Sequence, residues 1–166
     1  MPIRFIPHLW LESGAEEAAA FYTSIFPNSR ITSVTRYPDV GREVHGQEPG
    51  TVLTVTIELD GNPVMLLNGG PGFRLDEAFS FLLEFETQEE IDRYWNALLE
   101  GGQPQACGWL TDRFGVSWQV ACPMDHWLTD PDPAVRERVF GAVLGMVKID
   151  IAALEAAARG QVSPAA

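Results

Sequence analysis

Several common functions are excluded by what the sequence has little of. Against 23 Asp and Glu it sets only 11 Lys and Arg, a formal net charge of −12 at pH 7. No Lys/Arg cluster offsets that field, so nucleic acid and anionic membrane surfaces are not expected partners. There is no run of about eighteen apolar residues to make a membrane-spanning helix. The opening Met1-Pro2-Ile3-Arg4 lacks a basic-then-apolar leader, which leads to the expectation of a cytoplasmic, bacterial-style protein. Two cysteines, Cys107 and Cys122, are too few for a disulfide framework or a zinc set, and they read as small buried residues of neighbouring strands. No Ser/His/Asp or Cys/His spacing for nucleophilic catalysis is legible. What remains is 166 residues, 46% apolar and 20% charged, enough for one globular domain with a proper core.

Two helices stand out. Over about 14–27, Ala18, Phe21, Tyr22, Ile25 and Phe26 repeat at the spacing of one helical face, with Ser13 and Glu16 as a capping box. Over about 88–100, Ile91, Tyr94, Trp95, Leu98 and Leu99 do the same, capped by Thr87 with Glu90 and ended by Gly101-Gly102. Adding 73 to each apolar position of the first helix gives those of the second, and Glu16-Glu17 falls on Glu89-Glu90. These acids sit at helix starts, where negative charge complements the helix dipole, and do not form an acid/base pair. The match indicates an internal duplication.

The flanks read as strands: Ile3–Leu11, Ile31–Tyr37, Thr51–Leu59 and Val64–Leu67 around the first helix, then Phe79–Phe85, Gln103–Leu110 and Val116–Cys122 around the second. Leu53, Val55, Ile57 and Leu59 alternate with Thr54, Thr56 and Glu58, as in a half-buried strand. Asp60-Gly61-Asn62 and Asp112–Gly115 are hairpin turns, and Gly41–Pro49 is a polar loop. The expectation is an α+β chain of two tandem βαβββ modules, about 3–69 and 77–122, within one domain spanning 1–166. A helical extension over about 124–160 follows, in which Asp132-Pro133 starts a helix, Val135, Val139, Val143 and Val147 recur every four residues, and Asp150 starts a last short helix.

The duplicated unit resembles the glyoxalase, bleomycin-resistance and dioxygenase (vicinal-oxygen-chelate) superfamily. The strings Leu9-Trp10-Leu11, Ile25-Phe26-Pro27-Asn28, Leu67-Asn68-Gly69-Gly70, Thr87-Gln88-Glu89-Glu90, Cys107-Gly108-Trp109-Leu110, Gly115-Val116-Ser117-Trp118-Gln119 and Lys148-Ile149-Asp150-Ile151 resemble its PhnB-like branch, over residues 1 to about 159. That branch often carries the name 3-demethylubiquinone-9 3-methyltransferase. The resemblance implies strands that wrap a sheltered small-molecule site, often completed in a homodimer. The methyltransferase name finds no support in the residues. Gly69-Gly70-Pro71-Gly72 is interrupted by proline and lies between β-rich modules, not between a strand and a helix of an alternating α/β layout.

Metal-dependent members of the superfamily place a His on the first strand of each module and a carboxylate on each fourth strand. Counting from the helices gives Pro7 and Ser80 for the first pair, and Met65 or Leu67 and Gln119 for the second. His8 adjoins Pro7, but neighbours on a strand point to opposite faces. No metal and no other cofactor is therefore expected. The candidates for lining a ligand cleft are His8, Trp10, Asn68, Trp109, Trp118 and Gln119, polar or flat aromatic residues on strand faces, with core or interface filling as the alternative for each aromatic. His45 and His126 are given no role. The expected function is binding of a small organic molecule in a metal-free cleft, with catalysis left open. The alternatives are a divalent-metal-dependent lyase, isomerase or dioxygenase, and a scaffold whose cleft is filled by its own side chains. A homodimer is expected, because Phe140, Leu144 and Met146 beside the valine stripe cover more of the C-terminal helix than one packing contact uses.

Overall fold

The computed structural model describes residues 3–161. The chain divides after Leu75 into two units, each built on a four-stranded mixed sheet. The first contains β1 (His8–Leu11), α1 (Ala15–Ile25), β2 (Arg30–Arg36), α2 (Arg42–His45), β3 (Val52–Leu59) and β4 (Asn62–Asn68), with strand order β1-β4-β3-β2. The second contains β5 (Phe81–Glu84), α3 (Gln88–Leu99), β6 (Gln103–Pro104), β7 (Trp109–Thr111) and β8 (Ser117–Ala121), with strand order β5-β8-β7-β6. In each unit the first and last strands run parallel and the other neighbours antiparallel. The duplicated β-α-β-β-β order is thus present in both. Three further helices, α4 (Asp125–Leu128), α5 (Pro133–Leu144) and α6 (Ile151–Ala158), complete the second unit.

One face of the first sheet is covered by α1. Leu9, Leu11, Val55, Ile57, Leu59, Val64 and Leu66 are buried there with Ala15, Ala18, Ala19 and Tyr22 of the helix. Small alanines let α1 lie close to the strands, which the larger aromatic stripe of α3 does not. The second sheet buries Leu110, Trp118 and Val120 on the face of α3, whose Ile91, Tyr94, Trp95 and Leu98 are buried. Phe85 stacks on Tyr94 of α3 at 4.5 Å, and on the same face Phe81 lies 4.9 Å from Trp118 across β5 and β8.

Several expectations shift in detail. Ser13 does not cap α1: its N-cap is Gly14 (φ 84), and the Ala15 N–H donates to Asn68 Oδ1 at 2.8 Å. An acceptor reaching up from the sheet has replaced the local one. Thr87 does cap α3, accepting from the Glu90 N–H and donating to its carboxylate. Residues 3–7 are not strand, and the polar loop contains α2. A β-bulge at Leu53 buries Val52 and leaves Leu53 half-buried, so the alternation holds only from Val55. The β3–β4 turn is the two residues Asp60 and Gly61, both at positive φ, the twist a tight hairpin needs. The stretch 103–110 breaks into β6 and β7, with half-buried Cys107 in the turn between them. Cys122 is buried just beyond β8, and burial pushes its thiol pKa up.

α5 ends at Leu144, so Val147 is not helical. The chain there lies along the second sheet instead: Cys107 N–H donates to Met146 O and Gly108 N–H to Val147 O, both at 2.7 Å. Gln88 then holds the next residues like a strand neighbour, donating to Ile149 O at 3.0 Å and accepting from the Ile151 N–H at 2.9 Å. Lys148 pairs with Asp92, and Asp150 caps α6 through the Ala153 N–H. Three of the family-like strings, at 87–90, 107–110 and 148–151, therefore meet in one structural clamp.

Candidate functional site

Strand parity sorts the six candidate residues. In the first unit Leu9 and Leu11 point under α1, so His8 and Trp10 point to the helix-free face. Register carries that face across the sheet in two rows, His8–Met65–Thr56–Ser33 and Trp10–Leu67–Thr54–Thr35. The Trp10 indole N–H donates to Gly70 O at 2.9 Å, and Phe73 meets the ring edge-on at 4.9 Å. Gly69 lies against the indole so closely that a Cβ would stand 2.2 Å from it. Thr35 and Thr54 share a hydrogen bond of 2.6 Å along the second row. The face thus offers an aromatic step, two apolar side chains and hydroxyls.

Asn68 is on the other face. Besides capping α1, it donates to Val52 O at 3.1 Å and Glu16 Oε2 at 2.9 Å, while its own carbonyl accepts from the Tyr37 hydroxyl at 2.6 Å. It lines a polar pocket of about 350 Å³ with Glu12, Ser13, Gly14, Glu16, Glu17, Gln47, Thr51 and Val52 at the start of α1. Its side chain is spent on joining helix to sheet.

In the second unit Gln119 and Trp109 face away from α3, in one row with Leu82. Gln119 Nε2 donates to Ser80 Oγ at 2.9 Å. Just past β6, Gln105 donates to Thr111 Oγ1 at 3.0 Å and to Glu77 Oε1 at 2.9 Å. Trp118, the strand neighbour of Gln119, points the opposite way. It is only 2% exposed, and its indole N–H donates to Asp112 Oδ2 at 2.8 Å. Asp112, itself buried, also accepts from the Phe114 and Val116 N–H groups, so this tryptophan and the hairpin turn form one core network.

The helix-free faces therefore gather His8 and Trp10 in one unit, and Trp109 and Gln119 in the other. Asn68 lies half-buried on the α1 face, and Trp118 belongs to the interior under α3. Thr54, Thr56, Phe73 and Leu82 join the open faces without having been singled out, because only sheet register tells which residue stands beside Trp10 or Gln119.

Register also corrects the comparison of first strands. The offset of 73 suits the helices, where Ala18 and Ile91, and Tyr22 and Trp95, are all buried. Applied to the strands it would equate buried Leu9 and Leu11 with Leu82 and Glu84, which are exposed. A one-residue step separates strand from helix in the two modules, and such a step exchanges faces. The counterpart of Ser80 is therefore a neighbour of Pro7, Ile6 or His8, and not Pro7 itself.

A divalent ion, as the superfamily resemblance implies, needs imidazole and carboxylate donors converging on one point. His8 stands opposite the thioether of Met65, while Ser80 and Gln119 satisfy each other. Glu58 is paired to Arg30 at 3.0 Å. Among the described residues no group of three or more His, Cys, Asp or Glu could hold a metal ion. The residues do not fit the group. Nor do Gly69–Gly72 fit a nucleotide-type methyl donor: the segment follows β4, packs on Trp10 and leads into no helix.

The family model described as 3-demethylubiquinone-9 3-methyltransferase matches residues 3–121. This chain belongs to that family. Among solved structures, a PhnB protein from Bacillus cereus is 33% identical, with a TM-score of 0.62 over 72% of this chain and 100% of its own. A Pseudomonas aeruginosa protein at 22% identity and TM-score 0.59 covers 73% of this chain and 98% of its own, a likeness of fold. No curated protein matches. The fold is the α+β glyoxalase/bleomycin-resistance fold with C-terminal helices. The family match stops at residue 121, so α4–α6 lie beyond it, although the motif resemblance runs on to Ile151.

Proposed function

We propose that this family member binds a small, flat organic molecule on a helix-free sheet face, without a metal ion, and works as a homodimer. The reading rests on one observation: the open faces present Trp10 and Phe73 in one unit and Trp109 beside a Ser80–Gln119 pair in the other, where a metal enzyme would present imidazole and carboxylate. Indole faces give contact area at little entropic cost, and neighbouring hydroxyls and amides orient a polar edge. Thr35 and Thr54 already bond each other, so a ligand takes up remaining lone pairs rather than orphaned groups. Among the described residues nothing on these faces forms a nucleophile–base pair, and no covalent step is assigned.

The test is a thermal-shift screen of uncharged aromatic compounds against the full chain, since a ligand of the native state raises the melting temperature by mass action. A hit should keep its effect in excess chelator and lose it in whichever of Trp10→Ala and Trp109→Ala alters the face that binds it. A hit that acts only when divalent metal is added would favour the metal-dependent alternative.

A further inference from the structure

The helix α5 has two apolar faces and only one use for them. Its inner face, with Val139 fully buried and Val135, Ala142 and Val143 half-buried, packs in the second unit against α6. Its outer face runs Glu137, Phe140, Gly141, Leu144, the spacing of one continuous stripe, and all four are exposed. Phe140 is 56% and Leu144 59% exposed, and Val147 just past the helix is 53% exposed. A helix that is apolar on both sides is normally covered on both sides.

Gly141 makes the stripe more than an exposed patch. Glycine inside a helix costs about 1 kcal/mol relative to alanine. Some close approach usually explains it, yet a Cβ at Gly141 would meet nothing within 4 Å. The packing of this chain does not ask for glycine there, and a helix approaching from outside would.

We propose that α5 pairs with α5 of a second copy of this chain, with Phe140 of each copy seated in the notch over Gly141 of the other. Two features of the chain select a second copy as occupant. A two-fold interface must be complementary to itself, and the projecting ring and the notch lie side by side on one stripe. A chain of net charge −12 repels its own copy least where the surface is uncharged, and Phe140, Gly141 and Leu144 carry no charge, with Glu137 the one acidic residue, at the N-terminal end of the stripe. The proposal rests on the homodimer reading above and names the surface that serves it.

The experiment is sedimentation of the full chain from about 1 to 100 µM, beside Phe140→Glu, Gly141→Leu and Gly141→Ala, each checked for a native circular-dichroism melt. The wild type should be dimeric. Phe140→Glu and Gly141→Leu should weaken association at least about 30-fold, the effect of losing one interface hot spot. Gly141→Ala, which no contact of the single chain opposes, should fold and still weaken the dimer measurably. A dimer unchanged in all three variants would overturn this surface while leaving the homodimer standing. A wild type that is monomeric at 100 µM would overturn both. A native melt in the wild type with a folding failure in Phe140→Glu leaves Gly141→Ala to decide: unchanged association there refutes the notch.

Discussion

The two sheets follow one plan and hold together differently. The first has strands of 4, 7, 8 and 7 residues and closes on α1 with its own side chains. The second has strands of 4, 2, 3 and 5 residues, and leans on a C-terminal segment clamped by Gln88 and by the backbone at Cys107–Gly108. Long strands supply their own ladder of hydrogen bonds; short ones leave donors that something else must take. The caps differ in the same way. α3 is capped by its own Thr87, α1 by Asn68 from 53 residues away.

The comparison breaks most visibly at the core. Trp118→Ala should remove the largest buried side chain of the second sheet and take the indole hydrogen bond from Asp112, at a cost of about 3–5 kcal/mol. Denaturant titration checks this, and a loss below about 1 kcal/mol would show that Trp118 is not interior. Asn68→Ala should cost about 2 kcal/mol, because a helix cap and two further hydrogen bonds go together, against about 1 kcal/mol for Thr87→Ala. Equal losses would mean that the long-range cap does no more than the local one.

Gln88→Ala should release residues 149–151 from the start of α3. Hydrogen exchange at the Ile151 amide should rise well above that of the buried β8 amides, whose protection stays as it was. The smallest effect concerns Asp92. The hydrogen bond from Lys148, then that from Gln88, holds its carboxyl below the usual carboxylate range. A carboxyl lowered on folding stabilises above its unfolded pKa and loses that contribution as pH falls through the folded value. Stability should therefore drop slightly less on acidification in Asp92→Asn than in the wild type, as read by melting temperature from pH 6 to pH 2.

What the sequence made legible was local or periodic. The helices, the Thr87 and Asp150 caps and the duplicated order are written in neighbouring residues, and so are the tight turns. What it hid depends on partners far along the chain. Nothing beside Ser13 says that Asn68 will cap α1 in its place. The one-residue step that brings His8 rather than Pro7 to the open face is invisible until β1 is seen in register with Met65. The same limit governed the site residues: Trp118 and Gln119 are adjacent in sequence and opposite in orientation, and only the sheet says which is interior.

The central claim is ligand binding on an open sheet face without metal. It is tested most directly by elemental analysis of the full chain purified without chelator, read beside the ligand-induced shift in melting temperature. The account predicts less than about one tenth of an equivalent of Ni, Zn, Fe or Mn per chain, with the shift intact in His8→Ala. A stoichiometric metal, lost together with the shift in His8→Ala and Gln119→Ala, would contradict it.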